Sequence, residues 1–297
     1  MSILVIGCTG TVGSKVTEKL LAAGEDVRCL TRSLEKLNNL PPRIDGYLGD
    51  LSNPASLVEA FGGIEAMFLL LPVGPNETDQ GITAVEEAKN ADLRKIVYMS
   101  VYMPPDSTHI PHFRSKTPIE DAVKMSGIPY TILRPNNFFQ NDLQARDALL
   151  RHRAYPHPIG QVGLNSVDVR DIADAAVNAL TKPGYERQEY PLHGPDILTG
   201  ESVARTYSRY LEQEVRYIGD NLDLWEERAR TVMPGQMVQD FRIMYQYFQE
   251  HGFIAAPGDL LHEQSILDHE PRSFEDFVKE IAPAWKSELL VSAGEMR

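Results

Sequence analysis

Gly7, Gly10 and Gly13 stand three residues apart, directly after the apolar run Ile3-Leu4-Val5-Ile6. Val12, Val16 and Leu20 then fall on one face of a helical pattern. A strand that turns into a helix over such a loop can hold a pyrophosphate against the free N–H groups of the helix N-terminus. Gly7 permits the tight turn, Gly10 lets the backbone approach the phosphates, and Gly13 lets helix and strand pack closely. Thr9, Thr11 and Val12 complete this turn. A second group is Arg32-Ser33, with Lys36 one turn on. Where a dinucleotide carries a free ribose 2′-hydroxyl, a carboxylate ends the corresponding strand. A guanidinium and a hydroxyl suit a 2′-phosphate instead, by charge and by paired hydrogen bonds. The two groups together predict NADP(H) in preference to NAD(H). A third pair, His112 and Lys116, lies four residues apart. Imidazole is the side chain that titrates nearest neutrality, so His112 could act as a proton donor.

The elements that must position these groups read as repeating strand–helix units. Gly24 stops the first helix, and strands are expected at 27–31 and at 44–48, the latter ending in Gly49-Asp50. Asn53 reads as an N-cap with Pro54 at the first helical position, and Gly62-Gly63 closes that helix. The continuous apolar run 67–71 is expected of a strand buried on both faces, and 96–100 and 130–134 repeat the pattern. This alternation predicts an α/β fold, a Rossmann-type doubly wound parallel sheet with right-handed crossovers. Residues 1–150 form the nucleotide-binding domain in this reading, with 166–182 returning to it. Residues 151–297 form a smaller C-terminal α/β lobe that binds substrate or partner. Within it 151–163 is a crossing segment, Asp171 caps a helix over 172–180, and another helix spans about 202–213. No internal repeat and no low-complexity tract is visible.

In such a sheet the ligand crevice lies at the C-terminal strand ends. Asp50 and Leu51 follow the third strand, where a carboxylate can accept from an adenine amino group; an ordinary loop aspartate is the alternative. Leu71, Pro72 and Val73 follow the fourth strand and line the inner face of the groove. After the sixth strand come Pro135, Asn136, Asn137, Phe138 and Phe139. The phenylalanines either wall an aromatic substrate pocket, with Asn137, or belong to the core.

The glycine loop, Arg32, Gly49-Asp50-Leu51 and Ser126-Gly127-Ile128-Pro129-Tyr130-Thr131-Ile132-Leu133-Arg134-Pro135 together resemble the NmrA-like family of atypical short-chain dehydrogenase/reductases. Val167-Asp168-Val169-Arg170-Asp171-Ile172-Ala173 and Pro271-Arg272-Ser273-Phe274-Glu275-Asp276-Phe277 extend the resemblance over most of the chain. It implies that Lys116 reaches the nicotinamide ribose and that Pro135 and Asn136 approach the carboxamide. It also implies that Ser100, ending the fifth strand, occupies the place of a hydroxyl near the reacting carbonyl. The family holds quinone and enone reductases, nucleotide-sensing regulators and members with non-redox chemistry, so the resemblance leaves activity open.

Typical short-chain reductases carry Tyr-x-x-x-Lys on one helix face, where the lysine assists proton exchange by the phenol. This chain has no such pair at that place; His112 and Lys116 repeat only the spacing. Thr117-Pro118-Ile119-Glu120 has the form of an N-cap, a first-position proline and a capping-box glutamate. A helix beginning there separates His112 from Lys116. Ser100 or Tyr102 is then the polar anchor, or both are loop.

Composition closes off other classes. The net charge is −13 and no Lys/Arg run interrupts it, which disfavours direct nucleic-acid binding. The eight histidines lack metal-ligand spacing, so no metal site is expected. No Gly-x-Ser-x-Gly elbow supports a hydrolase. Cys8 and Cys29 make no disulfide framework, which suits a reducing cytosol, and no signal peptide or membrane span is read. Cys8 reads as a small residue of the phosphate loop, with oxidation there as a redox switch the alternative. A cytoplasmic location is expected. Three readings remain. The first is an NADPH-dependent oxidoreductase acting on a small quinone, enone or carbonyl substrate. The others are an NADP(H) sensor that acts through a protein partner, and a non-redox isomerase or cyclase.

Overall fold

The first six strands are β1 (Ser2–Ile6), β2 (Asp26–Thr31), β3 (Asp45–Leu48), β4 (Ala66–Leu69), β5 (Lys95–Met99) and β6 (Tyr130–Pro135), all but β3 built on β-branched or aliphatic residues. Later in the chain come β7 (Ala154–Tyr155), β8 (Gln188–Leu192) and β9 (Arg216–Tyr217). The first half carries helices α1 (Thr11–Ala22), α2 (Leu34–Asn38), α3 (Val58–Phe61), α4 (Glu77–Asn90), α5 (Pro111–Arg114) and α6 (Thr117–Met125). The second carries α7 (Arg146–Arg151), α8 (Val169–Thr181), α9 (Gly200–Leu211), α10 (Leu222–Ala229), α11 (Gly235–His251), α12 (Asp259–Gln264) and α13 (Phe274–Glu295). This computed structural model describes residues 1–295.

Seven strands pair in parallel in the order β3-β2-β1-β4-β5-β6-β8. The order reverses between β1 and β4, so the crevice opens beside the glycine loop that leaves β1. Ile3, Leu4, Val5 and all of β4 are fully buried, as a sheet covered on both faces requires. The fold is the Rossmann-like α/β sheet that the strand alternation predicts.

The chain divides into two compact units. One comprises Met1–Pro135, Val169–Leu192 and Leu261–Glu270; the other comprises Asn136–Asp168, His193–Leu260 and the stretch from Pro271 onward. The expected break at residue 150 therefore falls inside the second unit. The chain leaves the sheet as soon as β6 ends, because Asn136 is already engaged in the second unit. Its amide donates to Phe253 O at 2.8 Å and lies 3.2 Å from His193 Nδ1.

Three local expectations are corrected. Asn53 does not cap a helix with its side chain: Pro54–Ser56 is a single 3₁₀ turn, closed by Ser56 Oγ donating to Asn53 O at 2.7 Å. Asp171 is not a cap but a buried first-turn residue of α8, where a carboxylate favours the positive helix end. In α6 the cap is Lys116, already helical at φ −83° and ψ −25°, with Pro118 inside the first turn. Glu120 makes no capping box; it is buried and accepts two bonds from Arg134, at 3.0 and 2.5 Å.

Cys8 and Cys29 are joined by a disulfide, with Cα atoms 5.8 Å apart. This corrects the expectation of unpaired cysteines. Parallel pairing sets Cys29 opposite Val5, and the turn after Ile6 brings Cys8 back over the same strand. The bridge spans a sequence separation of 21, and the chain-entropy account assigns such a loop about 3 kcal/mol. Urea unfolding with and without a phosphine reductant should show a loss of that order, and Cys29→Ser should be indifferent to the reductant.

The second unit is organised around aromatic rings. Phe139 packs edge-on against Phe274 at 5.3 Å, and Tyr207 stacks on Trp285 at 6.0 Å, joining α9 to α13. Among these rings Asp142 is buried, accepting from Tyr155 Oη at 2.9 Å and Tyr207 Oη at 3.1 Å. Burial pushes the Asp142 carboxyl up to about 7, against the two phenol hydrogen bonds. His157 Nε2 lies 3.8 Å away, and burial pushes that imidazole down to about 4.

Candidate functional site

A groove of about 730 Å³ opens at the C-terminal ends of β1, β2, β3 and β4. Gly7, at φ +83°, turns the chain out of β1; a Cβ there would lie 2.8 Å from Leu70 O. Gly10 meets only Gly7 O at 3.3 Å, so its face toward the groove stays bare backbone. A Cβ on Gly13 would lie 2.1 Å from Gly7 O, which is why the helix can sit so close to the turn. No side chain caps α1 and no acid occupies its first turn. Its leading N–H groups are therefore left for an anion.

At the end of β2, Arg32 and Lys36 line the groove on an exposed rim. Neither cation has an acidic partner among the described residues. Ser33 caps α2, accepting from Lys36 N at 3.2 Å, which holds the short helix and its lysine at the rim. On the facing wall Asp50 Oδ1 accepts from Ser52 N at 2.8 Å, and Ser56 Oγ accepts from Asp50 N at 2.9 Å. The loop that carries the carboxylate is thus fixed before any ligand arrives.

Of the residues singled out for the cofactor, Gly7, Thr9, Gly10, Arg32, Ser33, Lys36, Asp50, Leu51, Leu71 and Pro72 line this groove. Thr11, Val12 and Gly13 form the first turn of α1, Val12 facing the core. Val73 is half-buried beyond the groove lining. Leu70 and Leu71 leave the fourth strand, which ends at Leu69, and so become groove wall. Gln80 was missed: it projects from α4, so no strand end announces it, and its Nε2 donates to Ser52 Oγ at 2.9 Å.

Of the residues suspected of catalysis, Ser100 and Tyr102 directly follow β5, while His112 lies in α5 and Lys116 in the turn after it. Lys116 is buried and donates to the buried carboxylate of Glu77. Ser100 is 2% exposed, with an Oγ that meets no partner of hydrogen-bonding geometry. Tyr102 is half-buried, its N–H bonded to Pro135 O at 2.9 Å. His112 is buried on α5, with its ring edge-on to Phe113. Because α5 ends at Arg114 and α6 begins at Thr117, His112 sits within α5 whereas Lys116 lies in the turn beyond it, as the N-cap of α6.

Other expectations shift. Asn136 is 2% exposed with its amide engaged inside the second unit, and Asn137 Nδ2 donates to Ser166 Oγ at 3.2 Å. Phe138 is half-buried beside Val167. Phe139 belongs to the aromatic core rather than to a pocket wall, since Phe274 and Phe277 close over it. Asp171, Asp174 and His269 converge despite their unpromising spacing, and Lys19 donates to Asp174 at 2.5 Å.

The strand order and the glycine turn between β1 and α1 define a Rossmann-like nucleotide-binding architecture. Within it, the NmrA-like family model matches residues 1–278, and the chain belongs to that family. It is 32% identical over 294 residues to an NAD(P)H azoreductase of Xenophilus azovorans, covering 95% of this chain and 99% of the relative. Its fold matches an NADPH-dependent quinone oxidoreductase from Escherichia coli, solved with NADPH, at TM-score 0.82 and 22% identity over 94% of this chain and 99% of that one. NmrA, a negative transcriptional regulator, matches at TM-score 0.77 and 18% identity over 97% of each chain. No helix among the described residues is long and apolar enough to cross a membrane.

Proposed function

We propose that this chain is an NADPH-dependent oxidoreductase for a small conjugated acceptor, a quinone, enone or carbonyl compound. One observation carries the cofactor part: the end of β2 presents Arg32 and Lys36 without an acidic partner among the described residues, where a carboxylate would serve NAD(H). The glycine cradle fits the rest of the molecule, because a Cβ at Gly7 or Gly13 would close it. The relative at 32% identity is an NAD(P)H azoreductase, which supports the redox part.

In this reading the α1 N-terminus holds the pyrophosphate, Arg32, Ser33 and Lys36 hold the 2′-phosphate, and Asp50 accepts from the adenine amino group. Lys116 holds the nicotinamide ribose; two of its three N–H donors remain after its bond to Glu77. The bound cofactor supplies a hydride. His112 or Tyr102 supplies the proton, and a quinone needs little such help because its developing charge is delocalised. Loading the purified protein with NADPH and following its consumption against quinones, enones, aldehydes and azo dyes tests the reading. Turnover well above background is expected.

Arg32→Asp should weaken NADPH by roughly 100-fold, within the range of charge-assisted phosphate bonds, and NADH by only a few-fold. Equal losses would remove the 2′-phosphate assignment. A second reading, an NADP(H) sensor acting through a protein partner, is favoured by the placement of His112 within α5 and of Lys116 in the turn beyond it, so that the two share no helix face. Tight NADPH binding with no consumption by any acceptor would select it.

A further inference from the structure

Glu77 opens α4 and is 2% exposed, yet no strand end or motif points to it. Its Oε1 accepts from Lys116 Nζ, and its Oε2 accepts from Ser115 Oγ at 2.9 Å. The neighbouring Thr78 donates its hydroxyl to Ser115 O at 2.8 Å. Two consecutive residues of α4 therefore grip the two residues that join α5 to α6. Lys116 is 7% exposed, and its ammonium has no other acceptor among the described residues. A charge so far from water needs a partner, and here Glu77 alone provides it.

One turn along the same helix, Gln80 lines the nucleotide groove and bonds Ser52, which in turn bonds Asp50. Residues three apart share a helix face. One face of α4 thus fixes both a wall of the groove and the lysine.

We propose that Glu77 is the positioning residue of Lys116. By taking one N–H donor and balancing the charge, it aims the remaining two at the ribose hydroxyls next to the nicotinamide. The inference rests on the reading above that Lys116 contacts the cofactor. It also predicts a signature distinct from that of Arg32, because NADPH and NADH share this ribose.

The test compares Glu77→Gln, Lys116→Ala and the double variant in the full chain, by fluorescence titration with NADPH and with NADH. Glu77→Gln keeps the size and an acceptor for Ser115 but removes the charge. It should weaken both cofactors about tenfold, as should Lys116→Ala, and the double variant should be no weaker than Lys116→Ala alone. If Glu77→Gln binds within twofold of wild type while Lys116→Ala loses tenfold, the lysine is placed without Glu77 and the proposal falls, leaving the lysine reading intact. If Lys116→Ala binds both cofactors normally, that reading falls and takes the proposal with it. Losses that simply add in the double variant mark Glu77 as a structural residue and also overturn the proposal. Should Glu77→Gln not fold, Glu77→Asp carries the same comparison: a partial loss that vanishes on the Lys116→Ala background is expected, and one that persists there refutes the proposal.

Discussion

Gly13→Ala lowers the stability of the fold by about 3 kcal/mol or more, whereas Gly10→Ala leaves it nearly unchanged. The contrast follows from what each new methyl would meet. On Gly13 it would lie 2.1 Å from Gly7 O, 2.6 Å from Gly7 C and 3.0 Å from Cys8 N, all backbone atoms of a turn closed by Gly10 N donating to Gly7 O at 2.9 Å. None can yield without pulling α1 from β1. On Gly10 the only neighbour is Gly7 O at 3.3 Å, and its φ of −88° suits any residue. In the binding mode proposed above, that methyl stands in the way of the pyrophosphate. Thermal melts should therefore show a large drop for Gly13→Ala and a shift of a few degrees at most for Gly10→Ala. NADPH titration should show the second variant folded but weak in binding. Similar melts for the two would mean that the turn is softer than its close approach implies.

Asp142 and His157 give the second large effect, which the wild type hides. The unfolded Asp142 ionises near 3.8 and the folded one near 7. The carboxyl's contribution is full below pH 4 and is lost as the pH rises to 7, a swing of about 4 kcal/mol at 1.36 kcal/mol per unit. His157 runs the other way. Unfolded it binds a proton below 6.5, folded only below about 4. Its neutral burial costs stability as the pH falls through that window, by about 3 kcal/mol. The two slopes oppose each other between pH 4 and 6.5. Asp142→Asn should leave the histidine slope, so that stability rises with pH; His157→Asn should leave the aspartate slope, so that stability falls with pH. Urea unfolding at several pH values reads both signs, and parallel curves for the two variants would refute the account.

What the sequence made legible depended on how locally each feature is encoded. The glycine loop follows the continuous apolar run of β1, and Arg32, Ser33 and Asp50 follow short strands bounded by turn residues, so their place at the crevice could be read directly. Glu77 could not, because it meets Lys116 across 39 residues and its own neighbourhood is an ordinary polar helix start. Gln80 was hidden for the same reason. The start of α6 was misplaced by one residue: Thr117-Pro118 looks like a cap and first turn, but the first turn tolerates proline at more than one position, since its N–H groups have no partner within the helix. Phe139 carried two readings that composition could not separate. Only the convergence of Phe274 and Phe277, far along the chain, settles its ring in the core. Asn136 showed no sign of its engagement with Phe253, again a contact of long sequence range.

The strand order has a consequence for how this chain is made. β6 lies between β5 and β8, and β8 is not synthesised until residue 192, after an excursion of the chain into the other unit. Until then the emerging sheet carries an open edge at Tyr130–Pro135, with hydrogen-bonding groups free to pair with another nascent chain. A fragment cut at residue 150 would keep the glycine loop and the whole nucleotide groove, yet lack both β8 and α8. Such a fragment is expected to aggregate on expression, although every residue proposed to hold the adenine half of the cofactor is present in it.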